Sequence, residues 1–301
     1  MGSTHAVSTC ALPMVGAVLS SKLPVSHAND GLDIITANVT CAANLKLLLQ
    51  ATDAHVICAQ EIKLSADELE DMSQWCLMHR WKFLACPMLV GPKGGRSAGV
   101  AIVVRDVFGL LPCSPLVVCE GRAIAATLQL PDGPQFRLIS LYLETRVGMS
   151  PSNKRLLAAA GQCLMASDVP GILAGDFNCN PSVVLETGFA QLIHGHVIAP
   201  EGPTYISGDL VSCIDYFAVT GGVVRIVDAL KAVPSLCFPN HYEVRMRIRT
   251  STSQCTMKKL WMPPTIPTQL PFGPRPCPPD WHGAQAAAAQ AETMALRHQH
   301  A

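Results

Sequence analysis

Several polar side chains stand where this sequence otherwise builds apolar strands. Glu61 follows VICAQ, Asp176 and Asn178 follow GILAG, Tyr142 lies inside RLISLYL, and Asn38 shares a face with Thr36 inside ITANV. Asp215 falls in CIDYFAV, where strand alternation puts it on one face with Phe217 and Val219. A buried, unpartnered carboxylate is costly, so each of these residues needs a metal, a hydrogen-bond partner or water. Any one of them alone reads as a strand-end group facing solvent. The set says more than its members, because sites gather where strands end.

The elements that must position them are short. Leu32–Val39 and His55–Gln60 read as strands separated by a Leu-rich helical piece, Asn44–Gln50. Ser65–Trp81 opens with a Ser N-cap and Glu68 three residues on, a capping box, and continues at helical spacing. Gly99–Val104, Arg122–Leu130 and Phe136–Leu143 are strand-like, the last two joined by a PDGP turn. Pro151–Ser167 is an amphipathic helix, Gly171–Ala174 a short strand feeding GDFN, and Cys213–Val219 and Val244–Arg249 are late strands. Strands before and after helices predict α/β layers rather than a simple parallel sheet.

Composition bounds the rest. With 49% hydrophobic and 15% charged residues, the 301-residue chain can bury a full core. The 22 basic residues balance the 22 acidic ones, which argues against a protein that coats nucleic acid through bulk charge. Thirteen cysteines show neither CxxC pairs nor regular spacing, so they read as free thiols in a reducing, intracellular setting, the nucleus included. Met1–Thr9 lacks the basic residues of a secretory signal, and no apolar run approaches the length of a membrane span. Residues 263–279 hold eight prolines and an Ala-rich stretch follows. The expected organisation is a poorly ordered segment 1–30, a folded domain 31–250 and a flexible tail 251–301.

The order of motifs resembles the endonuclease/exonuclease/phosphatase superfamily, the metal-dependent phosphoesterases related to abasic-site endonucleases and pancreatic-type deoxyribonuclease. ITANV is similar to the opening strand, CAQEIK to the glutamate motif, RSAGVAIVVR to the Gly-Val-Ala-Ile strand and LYLE to the tyrosine strand. GDFN is the most recognisable tetrapeptide, PTY resembles the Thr-aromatic segment, CIDYFAV the Ile-Asp-Tyr strand, and PNHYEV stands in place of the terminal Ser-Asp-His motif. The SAGVAI segment and a His241 strand without Ser-Asp are also similar to endonuclease domains of non-LTR retrotransposons.

The resemblance implies a four-layer α/β sandwich, two mixed β-sheets packed face to face with helices outside, that hydrolyses phosphoesters with Mg²⁺ or Mn²⁺. It makes Glu61 the principal metal ligand, with Asn38 binding or orienting at the same site. Asp176 would orient and deprotonate the attacking water, Asn178 would hold water or a phosphate oxygen, and Tyr142 would contact the scissile phosphate. His241 would stabilise charge on the phosphate, with Asp215 fixing its tautomer. Three positions depart from the pattern. Asn240 replaces the Asp that precedes the histidine, Thr40 replaces a second Asp or Asn, and Cys213 replaces an Arg. Asn240 stays with substrate, and a single metal is expected.

Other residues have plainer readings. His194 and His196 look like a metal pair without a carboxylate cluster, hence a surface loop. Arg96, with Lys93 in GPKGGRSAG, reaches either a phosphate backbone or solvent. Arg245, Arg247 and Arg249 alternate along one strand face toward water or a DNA-facing rim. Trp75 and Trp81 belong to the helical stretch and its core side, and Glu144 and Asp209 to solvent. The leading expectation is a DNA endonuclease of retroelement type. Two rivals stay open: a phosphoesterase of the same fold acting on RNA, inositol phosphates or a phospholipid head group, and a silent nucleic-acid-binding remnant.

Overall fold

Strands apolar on both faces lay down two sheets, and the helices cover their outer faces. The computed structural model describes residues 31–250 except 92, 93, 132 and 236. Lys93 and both expected flanks therefore lie outside the described residues. The chain runs β1 (Leu32–Asn38), α1 (Ala42–Ala51), β2 (Val56–Gln60), α2 (Ala66–Met78) and β3 (Trp81–Cys86). A small hairpin of β4 (Leu89–Val90) and β5 (Arg96–Ser97) precedes β6 (Val100–Arg105). Next come β7 (Gly109–Cys119), β8 (Ala123–Gln129), β9 (Gln135–Tyr142), α3 (Pro151–Met165) and β10 (Gly171–Asp176). Then follow α4 (Pro181–Glu186), α5 (Phe189–Leu192), β11 (Gly195–Ile198), a hairpin of β12 (Tyr205–Ser207) and β13 (Leu210–Ser212), and β14 (Asp215–Thr220). Finally α6 (Gly221–Val224), β15 (Val227–Pro234) and β16 (Tyr242–Ile248) bring the chain back beside β1.

One sheet has the order β15-β16-β1-β2-β6-β3 and the other β11-β14-β10-β9-β8-β7. Both are mixed: β1 pairs parallel with β2 and antiparallel with β16, while β10 pairs parallel with β9 and antiparallel with β14. The middle core is made by alternate residues of both sheets, such as Ile34, Val56, Ile102, Leu138, Ile172 and Phe217. The opposite parity, as in Ile35, Ile57 and Val103, packs on α1 and α2 through Leu45, Leu48 and Met72. On the other side Ile139, Leu173 and Tyr216 pack on α3 through Leu157 and Leu164. The result is the expected four-layer α/β sandwich.

Local signals account for several boundaries. Ser65 Oγ accepts the Glu68 amide while the Glu68 carboxylate accepts the Ser65 amide, the capping box expected for α2. That helix ends at Met78, however, and Trp81 opens β3 as a buried strand residue. Eight strands have no counterpart in the sequence reading: β3, β4, β5, β7, β11, β12, β13 and β15. Four of them, β3, β7, β11 and β15, are the edges of the two large sheets, and the others form the two small hairpins. Strand β7 carries Pro112 with shifts in register, the setting in which a strand tolerates proline. All ten cysteines among the described residues are free, and burial pushes the Cys58 thiol up to about 12. No described helix is long and apolar enough to cross a membrane.

Candidate active site

The parity that builds the middle core also delivers polar residues to one end of it. Thr36 and Asn38 continue the inward face of β1, Gln60 that of β2, Ser140 and Tyr142 that of β9, and Asp176 that of β10. Asp215 opens β14 directly opposite Asp176. Asn38, Gln60, Tyr142 and Asp176 each terminate a strand and Asp215 begins one, while Thr36 and Ser140 lie two residues deeper. Five strands therefore direct polar groups into the same end of the inter-sheet layer.

Hydrogen bonds tie them across the two sheets. Asn38 Nδ2 donates to Asp176 Oδ2 at 3.0 Å, joining residues 138 apart in sequence. Asp176 Oδ1 accepts the Asn178 backbone N–H at 2.9 Å. His241 Nδ1 lies 3.0 Å from Asp215 Oδ2 and 3.2 Å from Oδ1. Deeper in, Gln60 Nε2 donates to Ser140 Oγ at 3.1 Å, and Ser140 Oγ donates to the Ala59 carbonyl. Asp176, Asp215 and His241 are all buried.

Glu61 sits just beyond β2 with φ 56°, and Lys63 follows at φ 53°, both in the left-handed region. The segment is pinned by Ile62 N–H to the Gly99 carbonyl and Lys63 N–H to the Ala98 carbonyl. Gly99 itself has φ 83°, and a Cβ there would meet the Lys63 amide at 3.2 Å, so only glycine brings this strap close enough. The Tyr142 hydroxyl donates to Glu61 Oε1, and Lys63 Nζ pairs with Oε2 at 2.7 Å. Arg122 stacks over the Tyr142 ring, 4.9 Å from its centroid.

The charges perturb one another. Burial raises the Asp176 carboxyl, and the Asp215 charge adds to this. Burial works against a charged His241, yet Asp215, with Asp176 and Glu61 behind it, outweighs this and holds the imidazole above its ordinary value. Burial likewise opposes a charged Glu61, but Lys63, Tyr142 and His241 hold its carboxyl below the usual range. Burial and Glu61 push the Tyr142 phenol up.

The profile of the Endonuclease/Exonuclease/phosphatase family matches residues 35–235, which contain Asn38, Glu61, Tyr142, Asp176 and Asp215. The chain belongs to the endonuclease/exonuclease/phosphatase family. It is thus a member of a hydrolase family of nucleases and phosphodiesterases that use divalent metals. Solved structures share the fold. The endonuclease domain of TRAS1, a telomere-specific non-LTR retrotransposon, is 12% identical with a TM-score of 0.56, covering 73% of this chain and 99% of its own. The AP endonuclease LMAP from Leishmania major is 16% identical with a TM-score of 0.54, covering 73% and 88%. The human Nocturnin catalytic domain with bound sulfate is 17% identical with a TM-score of 0.53, covering 73% and 94%. No curated protein matches this chain in sequence.

Two donor sets in this family member are relevant to a cation. Asp176, Asp215 and His241 place one ligand atom each within 4.8 Å of one another. Their closeness follows from the pairing of Asp176 opposite Asp215 and from the Asp215–His241 hydrogen bond. Glu61 and Asn38 offer oxygen donors only, and Glu61 Oε2 already holds a cationic partner in Lys63. Oxygen donors with a single carboxylate fit Mg²⁺ or Mn²⁺, which bind few protein groups and keep several waters. The Asn38 oxygen accepts the Thr40 amide at 3.1 Å.

The remaining sequence candidates are placed differently. Arg96 is exposed and spends Nη1 on Glu68 at 2.7 Å, so its guanidinium is held by a carboxylate rather than left free. Asn240 has φ 71° and an exposed side chain, and its carbonyl accepts the Ile206 amide. Asn178 Nδ2 is committed to the Leu143 carbonyl at 2.8 Å. His194 and His196 are both exposed. Arg245, Arg247 and Arg249 pair with Asp53, Asp33 and Asp228. Glu144 accepts from Ser152, and Trp75 stacks on His79. Sequence reading assigned no role to Lys63, Gln60 or Arg122. Lys63 was within sight in CAQEIK, whereas the Gln60–Ser140 contact spans 80 residues and leaves no local signal.

Proposed function

We propose that this family member is a divalent-metal-dependent phosphodiester hydrolase that nicks DNA, of the retroelement endonuclease type. The observation that carries the reading is the pairing across the sheets of Asn38 with Asp176 and of Asp215 with His241, with Glu61 and Tyr142 beside them. The TRAS1 endonuclease domain is among the structures sharing the fold, which favours the retroelement type.

Each residue then has a task. Asp176, oriented by Asn38 and the Asn178 amide, accepts a proton from the attacking water, and its raised pKa suits a base working near neutrality. The water oxygen bonds to phosphorus and the bond to the leaving oxygen breaks, with solvent supplying the proton to that oxygen. Asp215 occupies His241 Nδ1, which turns Nε2 toward the phosphate as a donor to a non-bridging oxygen. The Tyr142 hydroxyl stands next to Glu61 and contacts the same phosphate. Mg²⁺ or Mn²⁺ held by Glu61 and Asn38 would offset charge on the phosphate and leaving group. With zero net charge, the chain binds DNA weakly and with strong salt dependence when the metal is removed.

The test is competitive: supercoiled plasmid, oligo(A) and inositol phosphates, each with Mg²⁺ and with Mn²⁺. Nicked plasmid as the preferred product supports the proposal. Preferred turnover of oligo(A) or inositol phosphates overturns the DNA assignment. A folded protein inert on all three is a silent remnant.

A further inference from the structure

We propose that Thr204 is the positioning residue that sets Asp215 against His241. Asp215 opens a strand of one sheet, while His241 immediately precedes a strand of the other, so neither sheet's own ladder fixes their separation. Something outside the ladders must do so. Thr204 is fully buried, and its Oγ1 accepts the backbone N–H groups of both Ile214 and Asp215 at 2.9 Å each. Its own N–H donates to the Ser212 carbonyl at 2.9 Å, and its carbonyl accepts the Tyr242 N–H at 2.7 Å. One residue is thus bonded to the chain at Asp215 and at the residue following His241.

The neighbours extend the tie. Tyr205 forms an isolated antiparallel bridge with His241, and its ring meets the imidazole edge-on with centroids 4.8 Å apart. Ile206 N–H donates to the Asn240 carbonyl at 2.8 Å. Segment 204–206 therefore grips both ends of the Asp215–His241 hydrogen bond. The two accepted amides use the acceptor capacity of the Thr204 hydroxyl. A valine of nearly the same shape would leave two adjacent buried donors without an acceptor, and the start of β14 would have to move to satisfy them. That movement carries Asp215 away from Nδ1. Thr204 touches no reacting atom and acts only through this placement. Its consequence for turnover rests on the reading of Asp215 and His241 as catalytic, but its consequence for their hydrogen bond does not.

The experiment compares full-length wild type, T204V and T204S, with D215N as reference. NMR follows the His241 Nδ1 proton and the exchange of the Ile214 and Asp215 amides. T204V is expected to lose or shift the Nδ1 resonance as D215N does and to exchange both amides roughly tenfold faster. T204S, which keeps the oxygen, is expected to match wild type in both. On plasmid DNA, T204V lowers kcat roughly tenfold to a hundredfold with little change in KM, and T204S restores it. An unshifted Nδ1 resonance with protected amides in T204V overturns the proposal. So does a T204S protein that behaves like T204V. If T204V does not fold, T204S decides alone, since loss of its Nδ1 resonance removes the hydroxyl from the account. Wild type inert on DNA, with the NMR results as expected, would sink the catalytic reading and leave the positioning role standing.

Discussion

His241 Nδ1 and Asp215 Oδ2 lie 3.0 Å apart although Asp215 opens a strand of one sheet and His241 precedes a strand of the other. This contact both raises the imidazole pKa and aims its other nitrogen. D215N removes the charge while keeping the shape, so kcat on plasmid DNA should fall about 10²–10³-fold, the range expected when a positioned donor to developing negative charge is lost. H241A and E61A should each abolish turnover. Wild-type rates in any of the three, measured as initial nicking rates, would remove that residue from the site.

Stability in the absence of metal should depend on pH in a defined direction. His241 is raised above its ordinary 6.5, so its contribution is complete below that value and fades as pH rises through its folded pKa. Glu61 is lowered below 4.5, so its contribution is complete above 4.5 and is lost on acidification. Asp176 is raised above 3.8, which adds a penalty that grows as pH rises toward its folded pKa and persists above it. Thermal unfolding in EDTA should therefore show greatest stability on the mildly acidic side and a decline toward alkaline pH. D176N should flatten that decline; an identical slope would contradict the assignment.

Gln60 is fully buried and donates to both the Cys58 carbonyl and Ser140 Oγ, bridging the sheets beneath the site. Replacing it with leucine strands these partners and the Thr36 hydroxyl. Q60L should cost about 1–3 kcal/mol by urea unfolding, the penalty for buried groups left unpaired.

Gly175 immediately precedes Asp176, and a Cβ there would collide with the Leu141 carbonyl oxygen and lie 3.0 Å from Leu141 Cβ. The β9–β10 pairing therefore leaves no space for a side chain. G175A should cost about 1–3 kcal/mol, as overpacking does, and should lower kcat by displacing Asp176. A variant as stable and active as wild type would show that the strands can part without consequence.

Asn240 tests the remaining departure at the terminal motif. Its backbone is left-handed, a conformation that Asp also tolerates, so N240D can be made without strain. Wild type should turn over DNA with Mg²⁺, and N240D should lower the Mg²⁺ concentration needed for half-maximal rate by adding a carboxylate near the site. Activity in N240D alone would instead mark the natural chain as silent.

Much of the fold was legible because β1, β2, β6 and β10 are continuous apolar runs, and their ends differ from the sequence reading by only one or two residues. Edge strands were harder. Nothing in the sequence reading corresponds to β7, whose Pro112 a strand tolerates at a sheet edge. Trp81 shares helical spacing with its predecessors, but the chain turns at His79–Arg80 and the ring is buried from a strand instead. In the site, residues ending strands stood out by polarity. Contacts that depend on distant partners, such as Gln60 on Ser140 or Arg122 over Tyr142, had no periodicity to betray them.

The placement of β16 between β1 and β15 has a consequence for biosynthesis. The first and last strands of the described domain are neighbours, and the histidine arrives with the last. A chain still emerging from the ribosome therefore has an unfinished first sheet and no Asp215–His241 contact until residues near 248 are free to pair. Under the proposed function, turnover should be absent from chains truncated before β16 and present once that strand docks.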